Sequence, residues 1–408
     1  MGLTDVVRRV TRAFNPLEPV NMGLLLSGGG ARASYQAGVL KYLGEAFPTM
    51  RFPILTGVSA GAINAAHLGT HSGDLKECTE RLVDSWLEIS PGDVYQSESS
   101  ISWAKNYLFK RSRDEPDITR RAFLETSPLR DYLMRKLSDG TGRLAGVETR
   151  LASGFLQALA IVTTNYTTGQ TVTWVQGSDI ERWERPNRVS FNTSLTIDHV
   201  MASTALPLIF PAIQIGDAYY GDGGIRLAAP LAPAVHLGAN KVLAISTRYA
   251  RSRAEADEPQ FVGYPPLGQI FGLLMNSIFL DALDQDALMM DRINALLDEL
   301  PRRKRLGLRP VELLVLRPSV DLGRLASEFE TTVTGPLALF SRLFGRSKSP
   351  DWLSMLLFEN QYVTRLIEVG YTDAREQHDR IEGFLEDSEL PPRSEAHLAE
   401  LDGPGHNS

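Results

Sequence analysis

Apolar and polar positions follow two periods along this chain, and each change of period marks an element. Leu24 to Ser27 is a short apolar run, followed by glycines and then by Val39, Tyr42, Leu43, Ala46 and Phe47 at helical spacing, which predicts strand, tight turn and helix. The unit repeats at once. Ile54 to Gly57 reads as a strand, Ser59 sits in a small-residue turn, and Ala60 to Leu68 reads as a helix. Two adjacent units of this kind argue for a parallel sheet in an α/β fold. Strand patterns return at Ala158 to Asn165 and Thr171 to Val175, and the Thr167-Thr168-Gly169-Gln170 turn between them predicts a hairpin. Further strands are expected at Lys241 to Thr247 and Val311 to Arg317, the first preceded by a helix-like piece, Pro230 to Leu237, closed by Gly238.

Between these runs the pattern is less regular. Residues from about 85 to 150 are polar with scattered aromatics such as Trp86, Trp103 and Tyr107, and read as a helical insertion on the surface or as a lid. One long helix is expected over Leu267 to Leu300, with Arg302, Arg303, Lys304 and Arg305 following where cations suit the helix dipole. The Leu337 to Phe358 stretch carries Leu339, Phe340, Leu343, Phe344, Trp352 and Leu356 around the polar loop Gly345 to Asp351, as core or as lipid-contacting surface. At the start, Val6, Val7, Val10, Ala13 and Phe14 share one helical face and Arg8, Arg9 and Arg12 the other. That face suits an anionic membrane surface or docking on the domain itself. The resulting division is an amphipathic segment 1–20, a main domain 21–318, a helical extension 319–386 and a tail 387–408 whose Pro, Glu and Ser content predicts disorder.

Composition narrows the function more than the fold. With 408 residues the chain can bury a full core, and its net charge of −7 without a long Lys/Arg run argues against nucleic acid as a partner. The single cysteine, Cys78, excludes an internal disulfide and a cysteine-rich zinc site. No stretch reaches the apolar length of a membrane span and the N-terminus lacks a secretory signal, so a cytoplasmic protein, peripheral at the inner face of the membrane at most, is expected.

The strongest chemical signal is Gly57-Val58-Ser59-Ala60-Gly61, a G-x-S-x-G on a strand-to-helix turn, where a sharp elbow exposes the serine hydroxyl and small neighbours prevent collision. Read alone, the same serine could simply cap the following helix. Ser27-Gly28-Gly29-Gly30-Ala31-Arg32 also follows a strand and opens a helix, so its unobstructed N–H groups suit a developing oxyanion. The competing reading is a dinucleotide loop through Gly28, Gly30 and Ala33, but the next strand ends in Thr56-Gly57-Val58-Ser59 where that reading needs an acid. For the base, none of His67, His71, His199, His236, His378, His397 and His406 has a glycine-turn setting. Asp222, in Tyr220-Gly221-Asp222-Gly223-Gly224, ends a strand-like run where glycines permit close approach, although a turn aspartate is the plainer reading of it alone.

Taken in order, the glycine-rich loop, the G-x-S-x-G elbow and the later Asp-Gly-Gly resemble the patatin-like phospholipases over roughly Met22 to Thr247, including Ala202 to Pro207 and Phe210-Pro211 ahead of the acid. The resemblance implies a three-layer α/β/α fold with a mostly parallel central sheet and a helical C-terminal extension, and a Ser-Asp dyad with Ser59 as nucleophile and Asp222 as base. It also implies an oxyanion hole from the amides of Gly28, Gly29 and Gly30, with Arg32 as the motif's basic residue and no metal or organic cofactor. Its G-G-G-x-R-G ends in Gly, whereas Ala33 stands here. The activity it implies is hydrolysis of a fatty-acyl ester in a phospholipid or lysophospholipid at a membrane surface. A thioesterase or neutral-lipid esterase with the same residues, and a silent lipid-binding protein, are the alternatives.

Overall fold

The apolar runs of the sequence form strands because helices cover both faces of the sheet they build, leaving their side chains no exposed face. In the computed structural model the strands are β1 (Met22–Leu26), β2 (Ile54–Val58), β3 (Ala158–Asn165), β4 (Thr171–Gly177), β5 (Glu184–Arg185), β6 (Arg188–Asn192), β7 (Ile213–Ile215), β8 (Ala218–Asp222), β9 (Lys241–Ile245) and β10 (Glu312–Leu316). Their order across the sheet is β10-β9-β1-β2-β3-β4-β6-β5. The run from β10 to β3 is parallel, and β3 and β4 form the expected antiparallel hairpin. The structure describes residues 21–96, 122–178, 180–257, 263–265, 267–329 and 351–386. The amphipathic start, the centre of the expected insertion, most of the aromatic-rich 337–358 stretch and the tail lie outside them.

The chain divides into two compact units, residues 21–376 on the one hand and 1–20 with 377–408 on the other. In the second the described element is the helix His378–Glu386. The helices of the first that bear on the site are α1 (Ser34–Ala46), α2 (Ala60–Thr70), α3 (Leu75–Glu88), α4 (Ser127–Leu137), α5 (Val147–Ala152), α6 (Ile197–Ser203), α7 (Leu267–Phe279), α8 (Ala282–Asp298), α9 (Asp351–Leu356) and α10 (Asn360–Glu376). Among the described residues no helix is long and apolar enough to cross a membrane. Helix α10 lies against α1 with glycine facing backbone on both sides. A Cβ at Gly38 would stand 2.0 Å from the Ile367 oxygen, and one at Gly370 2.1 Å from that of Tyr35. The C-terminal helical region is thereby pinned to the first strand-and-helix unit.

One expectation needs correction. The long helix over Leu267 to Leu300 is two helices, α7 and α8, broken at Leu280 and Asp281. Leu280 is buried there, and Arg248, just past β9, holds Asp281 at 2.8 Å and also reaches Asp284. The apolar period runs through the break in step, so it carries no mark of it. The basic run that follows forms an exposed 3-10 turn beyond Pro301.

Strand β3 does most to build the site. Its first five residues, Ala158 to Val162, pair with β2, while Thr163 to Asn165 pair with β8, and β4 occupies the other edge from Ala158 to Thr164. Strands β2 and β8 therefore lie end to end along one edge of β3. Val58 stands opposite Val162 and Asp222 opposite the next residue, Thr163. The turn after Val58 thus meets the last residue of β8.

Candidate active site

Ser59 occupies that turn with φ 55° and ψ −135°, a conformation L side chains rarely adopt and one that stores strain where it is held by its surroundings. Its glycine neighbours are required by contact. A Cβ on Gly57 would lie 2.6 Å from Ala62 Cα, and one on Gly61 2.2 Å from the Leu26 oxygen. The elbow is tied down from α6: the Ser59 N–H donates to Ser203 Oγ at 2.9 Å, and the Ser203 hydroxyl donates to the Val162 oxygen at 2.7 Å. Ser203 lies in the Ala202 to Pro207 segment that carries part of the family resemblance, but nothing in its local sequence marks it as the elbow's anchor. Ser203→Ala leaves the buried Ser59 N–H unpaired, so we expect a loss of about 1–3 kcal/mol in urea unfolding together with a lower kcat.

Asp222 is wholly buried and its backbone is fixed, its N–H donating to the Ala205 oxygen at 3.0 Å and its own oxygen accepting from Thr164 Oγ1 at 2.8 Å. Oδ1 accepts the Gly224 N–H at 2.8 Å, and Oδ2 is a buried acceptor with no hydrogen-bond partner. Burial pushes the carboxyl from 3.8 up to about 7, opposed by the Ser59 hydroxyl and the Gly224 N–H. Ser59 is thus near enough to influence the acid, although no contact to Oδ2 meets full hydrogen-bond geometry. A buried carboxyl pushed up toward neutrality, with one oxygen unpartnered and a serine near enough to influence it, is suited to general-base chemistry.

The glycine-rich loop lies against the same serine, since a Cβ on Gly28 would come within 2.9 Å of Ser59 Cβ. Gly29 and Gly30 have φ of 147° and 58°, which glycine adopts without steric cost. Among the described residues none of the Gly28, Gly29 and Gly30 N–H groups donates to another atom. The loop's shape is set by two residues the motif does not name. Thr247 Oγ1 donates to the Gly28 oxygen at 2.5 Å, and the Met355 backbone of α9 covers Gly30 so closely that a Cβ there would stand 2.0 Å from its oxygen. Arg32 is buried, and its Nε donates to Ser354 Oγ at 2.6 Å, which joins the loop to α9. The structure therefore gathers Ser59, Asp222 and the three glycines, and places Arg32 in the joint between loop and α9.

Ser59 opens onto a narrow apolar cavity of about 50 Å³, walled by Ile63, Leu133, Leu206, Phe210, Met355 and Phe358. His67 also lines it, but two helical turns separate it from Ser59, about 12 Å along α2. Its Nε2 lies 3.2 Å from the Cys78 oxygen, and burial, with His71 beside it, lowers its pKa to about 3. It is a neutral, structurally engaged ring. His199 is likewise buried, with its pKa lowered to about 4, and its Nδ1 accepts the Thr196 N–H in a helix cap. Among the described residues, one trio of ligand-type side chains suited to a metal comes together, His378, Asp379 and Glu382, with both acids exposed on a single helix of the terminal unit.

A family model described as Patatin-like phospholipase matches residues 24–235. Among solved structures, VipD from Legionella pneumophila is similar at 15% identity and a TM-score of 0.35, over 89% of this chain and 67% of that one. Human GIVD cytosolic phospholipase A2 is similar at 12% identity and a TM-score of 0.45, over 91% of this chain and 60% of that one. Comparison with curated proteins gives no match.

Proposed function

We propose that this chain, which belongs to the patatin-like phospholipase family and so to the lipid acyl hydrolases, cleaves fatty-acyl esters through Ser59 as nucleophile and Asp222 as general base. The observation that carries this reading is the abutment of β2 and β8 along β3, which brings the strained Ser59 turn to Asp222, a buried carboxyl with one unpartnered oxygen and a pKa pushed up to about 7. As Ser59 Oγ attacks the ester carbonyl, Asp222 takes the hydroxyl proton. The oxyanion that forms faces the N–H groups of Gly28, Gly29 and Gly30, which need no reorganisation because they have no other partner. Collapse returns the proton to the leaving alcohol, and a water activated by Asp222 then releases the fatty acid from Ser59. The walls beside Ser59 at Leu206, Phe210 and Phe358 are apolar, which matches the character of an acyl chain. No step calls for a metal or organic cofactor.

The substrate resides in a lipid surface, and α7 suits one. It contains no charged residue and exposes Ile270, Leu273 and Leu274 at helical spacing, while Phe279 at its other end packs against Gly224 next to Asp222. The test is the pH dependence of kcat/KM. Asp222 must be deprotonated to accept the proton, so activity is expected to rise with pH and level off above about 7. A profile flat from about pH 5 to 9 removes Asp222 as the titrating base. Running it on a diacyl phospholipid, a lysophospholipid, a triacylglycerol and an acyl thioester sorts the ester hydrolase from a thioesterase or neutral-lipid esterase.

A further inference from the structure

We infer that a second cavity, at the opposite end of the sheet from Ser59, binds an amphipathic carboxylate of the medium-chain fatty acid type. Ser59 follows the C-terminal end of β2. This cavity lies at the N-terminal ends of β2 and β3, bounded by Phe52 and Phe155 in the segments leading into those strands, by Leu68 near the end of α2 and by Leu75 at the start of α3. Its volume of about 510 Å³ is ten times that of the cavity at Ser59 and falls within the roughly 300–1,000 Å³ of small-molecule sites. These walls are apolar, and Thr49, Ser72, Thr149 and Ser153 add hydroxyl groups to the lining.

Two guanidinium groups stand on this apolar ground. Arg51 lies over the Phe155 ring at 4.2 Å, which fixes it beside the cavity, and Arg150 of α5 donates through Nη1 to the His71 oxygen while its buried Nε has no partner. Among the described residues neither arginine has a carboxylate partner. The acid on the lining is Asp74, whose Oδ1 already accepts the Glu77 N–H that caps α3. The arrangement differs from the Ser59 cavity, where the cationic Lys136 is held by Glu88 at 2.5 Å. Two guanidinium groups without a carboxylate partner, lining one cavity with Phe52, Leu68, Leu75 and Phe155, match a ligand with a carboxylate at one end and a hydrocarbon chain at the other. Inorganic phosphate would leave the wall unused, and an alcohol would leave the arginines unused. The inference stands without the hydrolytic reading, although that reaction releases a ligand of this class.

The test uses the full chain carrying Ser59→Ala, so that turnover plays no part, and a diazirine-bearing analogue of decanoate as probe. After irradiation and digestion, label is expected on peptides containing Phe52, Leu68 to Leu75 and Phe155, displaced by decanoate but not by decanol or inorganic phosphate. Arg150→Met and Arg51→Met should each raise the half-labelling concentration about tenfold. Arg51 is exposed, so its replacement keeps the fold even if loss of the Arg150 contact to His71 does not. Label confined to the peptides around Ser59, equal displacement by decanol or phosphate, or unchanged labelling in Arg51→Met would each overturn the site.

Discussion

Ser59→Ala and Asp222→Asn are each expected to lower kcat for ester hydrolysis by about 10⁴-fold or more while leaving the circular dichroism spectrum unchanged. The reason lies in the geometry of β3. Alanine at position 59 removes the attacking oxygen from a turn whose strain has no other evident use, and asparagine at 222 keeps the shape and the Gly224 contact but cannot accept the proton. Because the two residues act on one proton, the double variant should be little worse than either single one. Replacing His67 should spare the chemistry, since its ring is neutral, lies two turns along α2 and is engaged at the Cys78 oxygen. Robust turnover in a folded Ser59→Ala protein would remove the nucleophile assignment. Selective loss of activity in a folded His67 variant would replace the dyad with a histidine-dependent mechanism.

The same Asp222→Asn protein is expected to be more stable than the parent in alkaline solution. The folded carboxyl titrates at about 7 against 3.8 for a free one, so the folded state binds a proton that the unfolded chain has already released. Well below 3.8 both states are protonated and the penalty for ionisation is absent. As pH rises from there to about 7 the native state loses stability relative to the unfolded chain, and above 7 the penalty is complete. It approaches about 4 kcal/mol at most. Asparagine does not ionise and escapes it. Urea unfolding at about pH 8 should therefore show the variant ahead by up to that amount, and at about pH 4 the two should converge. Equal stability at both values would mean that the carboxyl is not desolvated as the structure has it. The expected gain is the counterpart of the lost activity: a base poised near neutrality is one the fold would be more stable without.

How much of this was legible in the sequence follows from how local each signal is. Ser59, Asp222 and the three loop glycines stand in short glycine-flanked motifs, because the turns they occupy require backbone conformations or approaches that glycine permits, and such requirements appear in the neighbouring residues themselves. The strands at the centre of the sheet were equally plain, since burial on both faces makes them continuous apolar runs. Ser203, Thr247, Ser354 and Met355 were not recognisable as supports, because a serine or threonine that ties one buried loop to another looks no different from one in an ordinary turn. Ser203 reaches Ser59 across 144 residues and Ser354 reaches Arg32 across 322. The break between α7 and α8 was hidden for a related reason, as the contact that Asp281 makes there is with Arg248, which follows a different strand. Arg32 could be picked out by its motif, but its direction toward α9 depends on a helix more than three hundred residues away in sequence.

The end-to-end placement of β2 and β8 along β3 also orders events during synthesis. A growing chain carries the whole Gly57 to Gly61 elbow long before Asp222 has been added, and the two meet through strand pairings rather than through any local turn. Closing such distant pairings is slow compared with forming helices and hairpins. A fragment that ends before β8 therefore bears an intact serine motif without its carboxyl neighbour, so the pair is assembled only once β8 has been made and seated on the edge of β3.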